Sequence, residues 1–353
     1  MNRLLNGGAF ALPLLLCAMP ALADETAINP EIVALGHRAD AHGPAGTMSD
    51  HVHKSGDLMI GLMWMHEDYG GLTQRDGTSV TDADVAAAGY SATTQSMTMD
   101  MAMLHIMWAP SDRVTFMVMP SWMKMGMTMR GLPAAAMAGG HTGHTLMPGQ
   151  TMSHSSEGMG DTQFGALVSL LRKAQLSAHA GLMISAPTGS VSRKNANGTF
   201  VHYMMQGGSG TWDINPSFTL HGSGKSFGWG AQLGYVFRAE EKNASGFRFG
   251  DKLAATAWIS KPLSPRFSLS ARMAYGSEGK IEGHYSGAHN HSSPVDVQVN
   301  YGGQRLDAGL GANLVIGDRL RLGAEVAVPV WQKLNGYQTP RRYSGNINIS
   351  TMF

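Results

Sequence analysis

Cysteine is almost missing from this 353-residue chain, and its one cysteine, Cys17, sits in the apolar N-terminal stretch. That excludes a disulfide framework and thiolate metal sites. Charge is scarce as well. Asp, Glu, Lys and Arg make up 14% of the residues, against roughly 25% in an ordinary soluble domain. A formal net charge of +1 lacks the basic surplus that nucleic-acid binding needs, so no nucleic-acid partner is expected. Long apolar runs are also missing. Leu4–Cys17 is shorter than the roughly 20 residues of a membrane-spanning helix. Beyond it no stretch holds a helical period for long, and the 45 glycines would weaken long helices.

The short run has another use. Met1–Arg3 is a positive start, Leu4–Cys17 is mostly apolar, and Ala21-Leu22-Ala23 is a small-x-small cleavage signal. Residues 1–23 therefore read as a secretory signal peptide, removed after Ala23 together with Cys17. Lipid attachment at Cys17 is rejected, because Leu16 stands where a small residue is wanted. Residues 24–56 form a periplasmic N-terminal segment able to enter a barrel as a plug, and 57–353 form the barrel itself.

Period-two alternation recurs through that last part. Twelve segments carry it: about 57–66, 97–109, 113–129, 160–172, 175–186, 211–221, 226–238, 248–260, 265–276, 304–316, 319–331 and 342–353. Most are long enough for a tilted transmembrane strand of about 9–11 residues. Short connections (109–112, 173–174, 261–264, 317–318) alternate with long ones (67–96, 130–159, 187–210, 277–303). That alternation is the habit of outer-membrane barrels, whose short turns are periplasmic. Leu320, Leu322, Ala324, Val326, Val328 and Val330 share one face against Arg321, Gly323 and Glu325. No helices remain to cover such faces, so lipid must. The expectation is an all-β, transmembrane, antiparallel up-and-down barrel of twelve strands in the bacterial outer membrane. The last strand, with Tyr343, Gly345, Ile347, Ile349, Thr351 and Phe353 on one face, resembles the signal read by the barrel-assembly machinery.

Methionine is abundant where cysteine is not. Fifteen of the 26 lie between Met97 and Met159. In the second strand Met97, Met99, Met101, Met103, His105 and Met107 share one parity, and Leu104, Ile106 and Trp108 the other. The third strand repeats this, with Met117, Met119, Met123, Met125, Met127 and Met129 against Phe116, Val118 and Trp122. Met59, Met63 and Met65 follow suit in the first. Alternate residues share a face, and aliphatics with a terminal tryptophan suit lipid, so the methionines should line the lumen. Across the tight turn His105 would face Met117, and Met103 would face Met119.

Three readings of the stripe stay open. Methionine fills irregular gaps and could simply pack a narrow lumen. The faces could be reversed, a view that Asp100 and Lys124 on the even face favour. Thioethers also select soft ions such as Cu(I) or Ag(I), which makes Met97, Met99, Met101, Met103, His105, Met107, Met117, Met119, Met123 and Met125 candidate ligands. Histidines accompany them: His37, His42, His51 and His53 near the N-terminus, His141, His144 and His154 in the 130–159 connection, and His284, His289 and His291 in another. Such enrichment in an exported chain suits periplasmic copper handling. No resident cofactor is expected.

Three runs resemble a known family: Met48-Ser-Asp-His-Val-His-Lys-Ser-Gly-Asp-Leu-Met59, Met97-Thr-Met-Asp-Met-Ala-Met-Leu104 and Trp108-Ala-Pro-Ser-Asp-Arg113. They look like the outer-membrane proteins named for the meta-pathway of phenol degradation, in their methionine-rich, copper-associated form. Ala186-Pro-Thr-Gly-Ser190 and Gly250-Asp-Lys-Leu-Ala-Ala-Thr-Ala-Trp258 fit as well. The resemblance implies a transporter-like barrel and no phenol chemistry. It brings no set of functional residues with it.

An enzyme is not expected. There is no Gly-x-Ser-x-Gly elbow, and Ser153-His154-Ser155 falls in a stretch read as loop. The inward carboxylates Asp307 and Glu325 look structural, with Arg305 and Arg321 as partners. Two functions remain: a channel handling soft metal ions, or a passive pore for small hydrophobic or aromatic compounds.

Overall fold

The computed structural model describes residues 38–133, 146–173 and 175–353. The expected signal peptide, His37, His141 and His144 lie outside the described residues.

Twelve antiparallel strands follow one another: β1 (Leu58–Gly70), β2 (Ala92–Ser111), β3 (Val114–Met119 and Ser121–Gly131), β4 (Thr151–Met159 and Thr162–Lys173), β5 (Leu176–Ala186), β6 (Asp213–Ser223), β7 (Gly228–Arg238), β8 (Lys252–Ser264), β9 (Phe267–Glu278), β10 (Gly303–Ile316), β11 (Leu320–Leu334) and β12 (Arg341–Met352). β1 pairs with β2 on one side and β12 on the other, which closes the barrel. Closure removes the unpaired edges that lipid would not tolerate. No described helix is long and apolar enough to cross a membrane.

β3 and β4 are each broken once. Pro120 cannot donate to a ladder, and a Cβ on Gly160 would run into the Ser121 hydroxyl. Below the break the two strands pair from Val114↔Val168 to Met119↔Gln163; above it they pair from Trp122↔Met159 to Arg130↔Thr151. The sequence reading placed 151–159 in a loop. Its polar residues hid a strand that rises past the lipid, where an apolar face is not required.

The outer face carries what lipid demands. Leu62, Trp64, Leu104, Trp108, Phe116, Val118, Trp122, Leu182, Leu233, Val326 and Ile347 are all exposed, while Met103, Met107, Met117, Met119, Met125 and Met127 are at most 3% exposed. The reversed-face reading is therefore overturned. Asp100, paired with Lys124, receives His66 Nδ1 at 2.8 Å. This polar row sits one step beyond Trp64 and Trp122, which mark the outer interface, as aromatic girdles do. Trp108 stacked on Phe116 marks the periplasmic one.

At the outer end the long connections fold over the lumen. Phe200, Tyr203, Phe247, Tyr285 and Tyr301 form one buried cluster, with Tyr203 and Tyr285 stacked at 4.4 Å between ring centres. A short helix α1 (Asp82–Ala87), started by a Thr81–Asp84 capping box, packs Val85 and Ala86 against Leu132.

Of the two arginines expected to partner the inward carboxylates, Arg305 does so at Asp307 and Arg321 does not at Glu325. Glu325 takes a two-pronged bond from Arg272, and Arg321 does not supply it. Asp307 accepts from Arg305 and from Arg341, and Arg341 also reaches Glu67. Register explains the change at Glu325: Arg272 on β9 stands opposite Gly309 on β10, and a Cβ on that glycine would come within 3.2 Å of the Glu325 carboxyl, so its absence leaves Arg272 room to reach across.

Candidate functional site

The methionines of three adjacent strands stand in rungs. Pairing sets Met59 beside Met107 and Met107 beside Met117; then Met63 beside Met103; then Met65 beside Met101 and Met101 beside Met123. Higher up, Met99 faces Met125 and Met97 faces Met127. Directly opposed side chains on one face lie about 4.5–5.5 Å apart at Cβ, which is within thioether reach. Met117 pairs with Gly165, and Gly165 with Met183, so the glycine opens a gap that the Met183 thioether fills. A Cβ on Gly165 would come within 2.9 Å of that sulfur.

The expected hairpin register is two residues off. Met107, and not His105, lies opposite Met117, and Met103 faces Ser121. The turn is only Asp112-Arg113, and an irregularity between Trp108 and Ser111 shifts the ladder. His105 lies opposite Gly61 and stays on the inner face. All ten candidate ligands thus share one wall, and six of them fall in two buried clusters on either side of the Pro120 break: Met103, Met107, Met117 and Met119 below, with Met59 and Met183, and Met97 and Met125 above, with Met127, Met129 and Met205. Met101 packs against the first, and Met99 and Met123 against the second.

The opposite wall is polar. Thr219, Gln232, Asn313, Glu325 and Asn346 face the lumen from β6 to β12. Residues 38–57 lie between the two walls. Ala39 N–H donates to Pro265 O at 2.9 Å in the β8–β9 turn, which puts this end at the periplasmic side. Further in, Gln232 Nε2 donates to Met48 O (2.9 Å), Asn313 Nδ2 to Gly43 O (3.3 Å), and His179 Nε2 to Ser49 O (2.8 Å). On the methionine side Ser49 Oγ contacts Met117 Sδ at 3.6 Å, and His53 N–H donates to Thr115 Oγ1 at 3.0 Å. Gly46 rests on the Arg272–Glu325 pair.

Here histidines collect that the sequence left dispersed. His42 and His51 meet edge to face at 4.0 Å between ring centres, and His51 meets His53 at 4.7 Å. Asp50 accepts from His51 Nδ1 at 2.8 Å and from Gly43 N–H at 2.6 Å. His42, Asp50 and His51 line a cavity of about 70 Å³ with His105, Met59, Met107 and Met117. Burial holds the His42 imidazole well below its ordinary pKa, with Arg321 adding to the effect. Burial likewise brings His53 down to about 3. Both rings are neutral at physiological pH, with a lone pair available. Burial pushes the Asp50 carboxyl up, but His51 beside it and the hydrogen bonds from His51 and Gly43 outweigh this and hold it well below the usual carboxylate range. At the outer end of the methionine wall a second carboxylate–imidazole pair, Asp296–His202 at 2.7 Å, lies beside His154, which pairs with Met127. His284, His289 and His291 gather in a loop away from the methionines, with His289 and His291 at 4.4 Å.

The methionine wall was legible because alternation fixes a face. The His42–Asp50–His51 grouping was not, since it lies in irregular chain whose path is set by the lumen around it.

No curated protein matches the sequence. Among solved structures the chain is similar to an outer-membrane channel from Pseudomonas putida F1, at 13% identity and a TM-score of 0.57, covering 87% of this chain and 99% of that one. The transport unit of the autotransporter AIDA-I from Escherichia coli gives 9% identity and a TM-score of 0.47, over 93% and 100% of the two chains. The toluene transporter TodX from P. putida gives 9% and 0.39, over 90% and 94%. At such identities the first shows a shared fold: a closed barrel of the outer membrane. A family model described as the MetA-pathway of phenol degradation matches residues 82–325, from α1 into β11. The match spans well over half of the sequence, and the chain belongs to this family of outer-membrane barrel proteins.

Proposed function

We propose that this protein is a non-catalytic outer-membrane transport channel whose solute path follows the methionine wall, and that its solute is a soft metal ion such as Cu(I) or Ag(I). The observation behind this reading is the set of opposed methionines on β1–β3, shielded from lipid and facing the lumen. Thioethers stay unprotonated over the physiological range and favour soft ions over the hard ions of the medium. A row of weak, equivalent donors lets an ion pass from one to the next, since conduction needs sites that release as readily as they bind. Imidazoles stand at both ends of the row, His154 and His202 outside, His51 and His105 inside. Residues 38–57 are the plug of this channel, and the surrounding partner is outer-membrane lipid.

A second reading has its own observation. The outer cap is built from stacked Phe and Tyr rings, and the methionine wall is apolar, so a passive pore for small hydrophobic or aromatic compounds fits this lumen too. Methionine would then act only as filler.

Changing Met97, Met99, Met101 and Met103 together to leucine separates the two, because leucine conserves volume. The purified barrel is titrated with Cu(I) against a competing chelator under reducing conditions. Binding that disappears in the leucine variant while the barrel still assembles supports soft-metal handling. Binding unchanged by the replacement sinks that reading and leaves the passive pore.

A further inference from the structure

The plug carries a cluster of different chemistry from the wall. His42, Asp50 and His51 each offer one ligand atom, and the three atoms lie within 4.8 Å of one another. An ion with tetrahedral bonds of about 2.0–2.1 Å holds neighbouring ligand atoms about 3.3 Å apart. The cluster therefore has to contract by about an ångström and a half at most, which side-chain rotation on an irregular segment supplies. The adjoining cavity of about 70 Å³ has room for an ion and a water, each water taking about 30 Å³.

Two further observations point to a ligand. Nε2 of His51, of His53 and of His105 is buried, and none has a hydrogen-bond partner among the described residues. An imidazole nitrogen left unmatched away from water is unfavourable; His51 and His105 line the one cavity, and His53 meets His51 edge to face. His51 Nδ1 and Asp50 Oδ1 already lie 2.8 Å apart, close to the spacing of two ligands on one ion, and the unmatched Nε2 can take the ring proton when Nδ1 binds.

Charge decides which ions suit. Asp50 is the cluster's carboxylate, and Arg321 lines the same cavity, donating to Arg38 O at 3.2 Å. One negative and one positive group nearly cancel, so the cavity offers no field for Ca²⁺ or Mg²⁺, which take several oxygen ligands. Neutral imidazoles hold borderline ions instead.

We propose that His42, Asp50 and His51 form a binding site for a borderline divalent cation, Zn²⁺ or Cu²⁺, with His105 of β2 closing it from the barrel wall. The site is built of nitrogen and oxygen and does not depend on the thioether reading; either stands if the other falls. Because three donors come from the plug and one from the wall, an ion bound there ties the plug to the barrel.

The test uses the full mature chain in detergent, free of any histidine tag, titrated with Zn²⁺ against a chromophoric chelator. Expected is one tight equivalent that falls at least a hundredfold in affinity in His42→Gln/His51→Gln. The equivalent persists in the variant with Met97, Met99, Met101 and Met103 changed to leucine, and in His289→Gln/His291→Gln. Zn²⁺ binding unchanged in His42→Gln/His51→Gln overturns the proposal. If that variant does not assemble, X-ray absorption on the Zn²⁺-loaded wild type decides. Imidazole and oxygen at about 2.0–2.1 Å support the site, whereas sulfur at about 2.3 Å, or water alone, overturns it.

Discussion

Gly46 offers a way to unseat the plug with one side chain. A Cβ at this position would lie well inside van der Waals contact of Arg272 Nη2 and Glu325 Oε1, and 3.0 Å from Arg272 Cζ. Gly46→Leu therefore forces one of two outcomes. If the ion pair yields, a buried carboxylate loses its partner, at a cost of about 3–5 kcal/mol. If the plug yields, it gives up the nearby bonds from Asn313 to Gly43 O, Gln232 to Met48 O and His179 to Ser49 O. Three neutral hydrogen bonds at about 0.5–1.5 kcal/mol each come to roughly 1.5–4.5 kcal/mol. At the midpoints of these ranges the second route costs less by about 1 kcal/mol, with the bonds at Ala39 and His53 kept, so residues 43–49 lift. A shift of about 3 kcal/mol changes the ratio of seated to unseated plug roughly a hundredfold. In planar bilayers Gly46→Leu should open about a hundred times more often than wild type, approaching a variant deleted for residues 38–56. Gly276→Ala on β9 is the control, because its Cβ would meet nothing within 4 Å, and it should behave as wild type. Conductance in Gly46→Leu equal to wild type, with the deletion variant conducting freely, refutes the argument.

Arg341 is buried between Glu67 and Asp307, and Arg341→Ala strips Glu67 of its guanidinium and leaves Asp307 with Arg305 alone. A loss of about 3–5 kcal/mol is expected, read as a lower temperature at which the folded barrel loses its fast gel mobility; an unchanged temperature contradicts the assignment. The outer cap should respond to alkali. Burial raises the phenol pKa of Tyr203, Tyr285 and Tyr301, so the folded cap holds protons that the unfolded one releases. Its stability is full below the ordinary tyrosine range and falls as pH rises above about 10. Near-ultraviolet circular dichroism should show the aromatic cluster loosening there, and a signal flat well past that pH counts against it.

How far the sequence alone led depended on what each segment touches. Where a strand meets lipid on one side, a one-residue slip puts polar groups into hydrocarbon; hence Leu62, Trp64, Leu104 and Trp108 declared their face and the methionines the other. The twelve-strand count survived for the same reason. Residues 151–159 gave no such signal, because they pair with β3 beyond the outer tryptophans, where serine, histidine and glutamate are tolerated on either face. The hairpin register turned on one irregularity between Trp108 and Ser111, which no periodicity announces. Glu325 was given the wrong arginine, since its partner Arg272 comes from β9, 53 residues away. The meeting of His42 with His51 lay furthest out of reach. It depends on a lumen polar on one side and thioether-lined on the other, a property of the closed barrel and of no segment within it.

The plug's position in the chain has a consequence for the order of events during assembly. It precedes β1, yet it is held from every part of the wall: by Thr115, His179 and Gln232 on earlier strands, by Asn313 and Arg321 on β10 and β11, and by the Arg272–Glu325 pair beneath Gly46. Contacts between distant parts of a chain form late. The segment that leads the barrel in sequence is thus only partly held until β10 and β11 have joined the wall, and its full seating marks a wall that is complete.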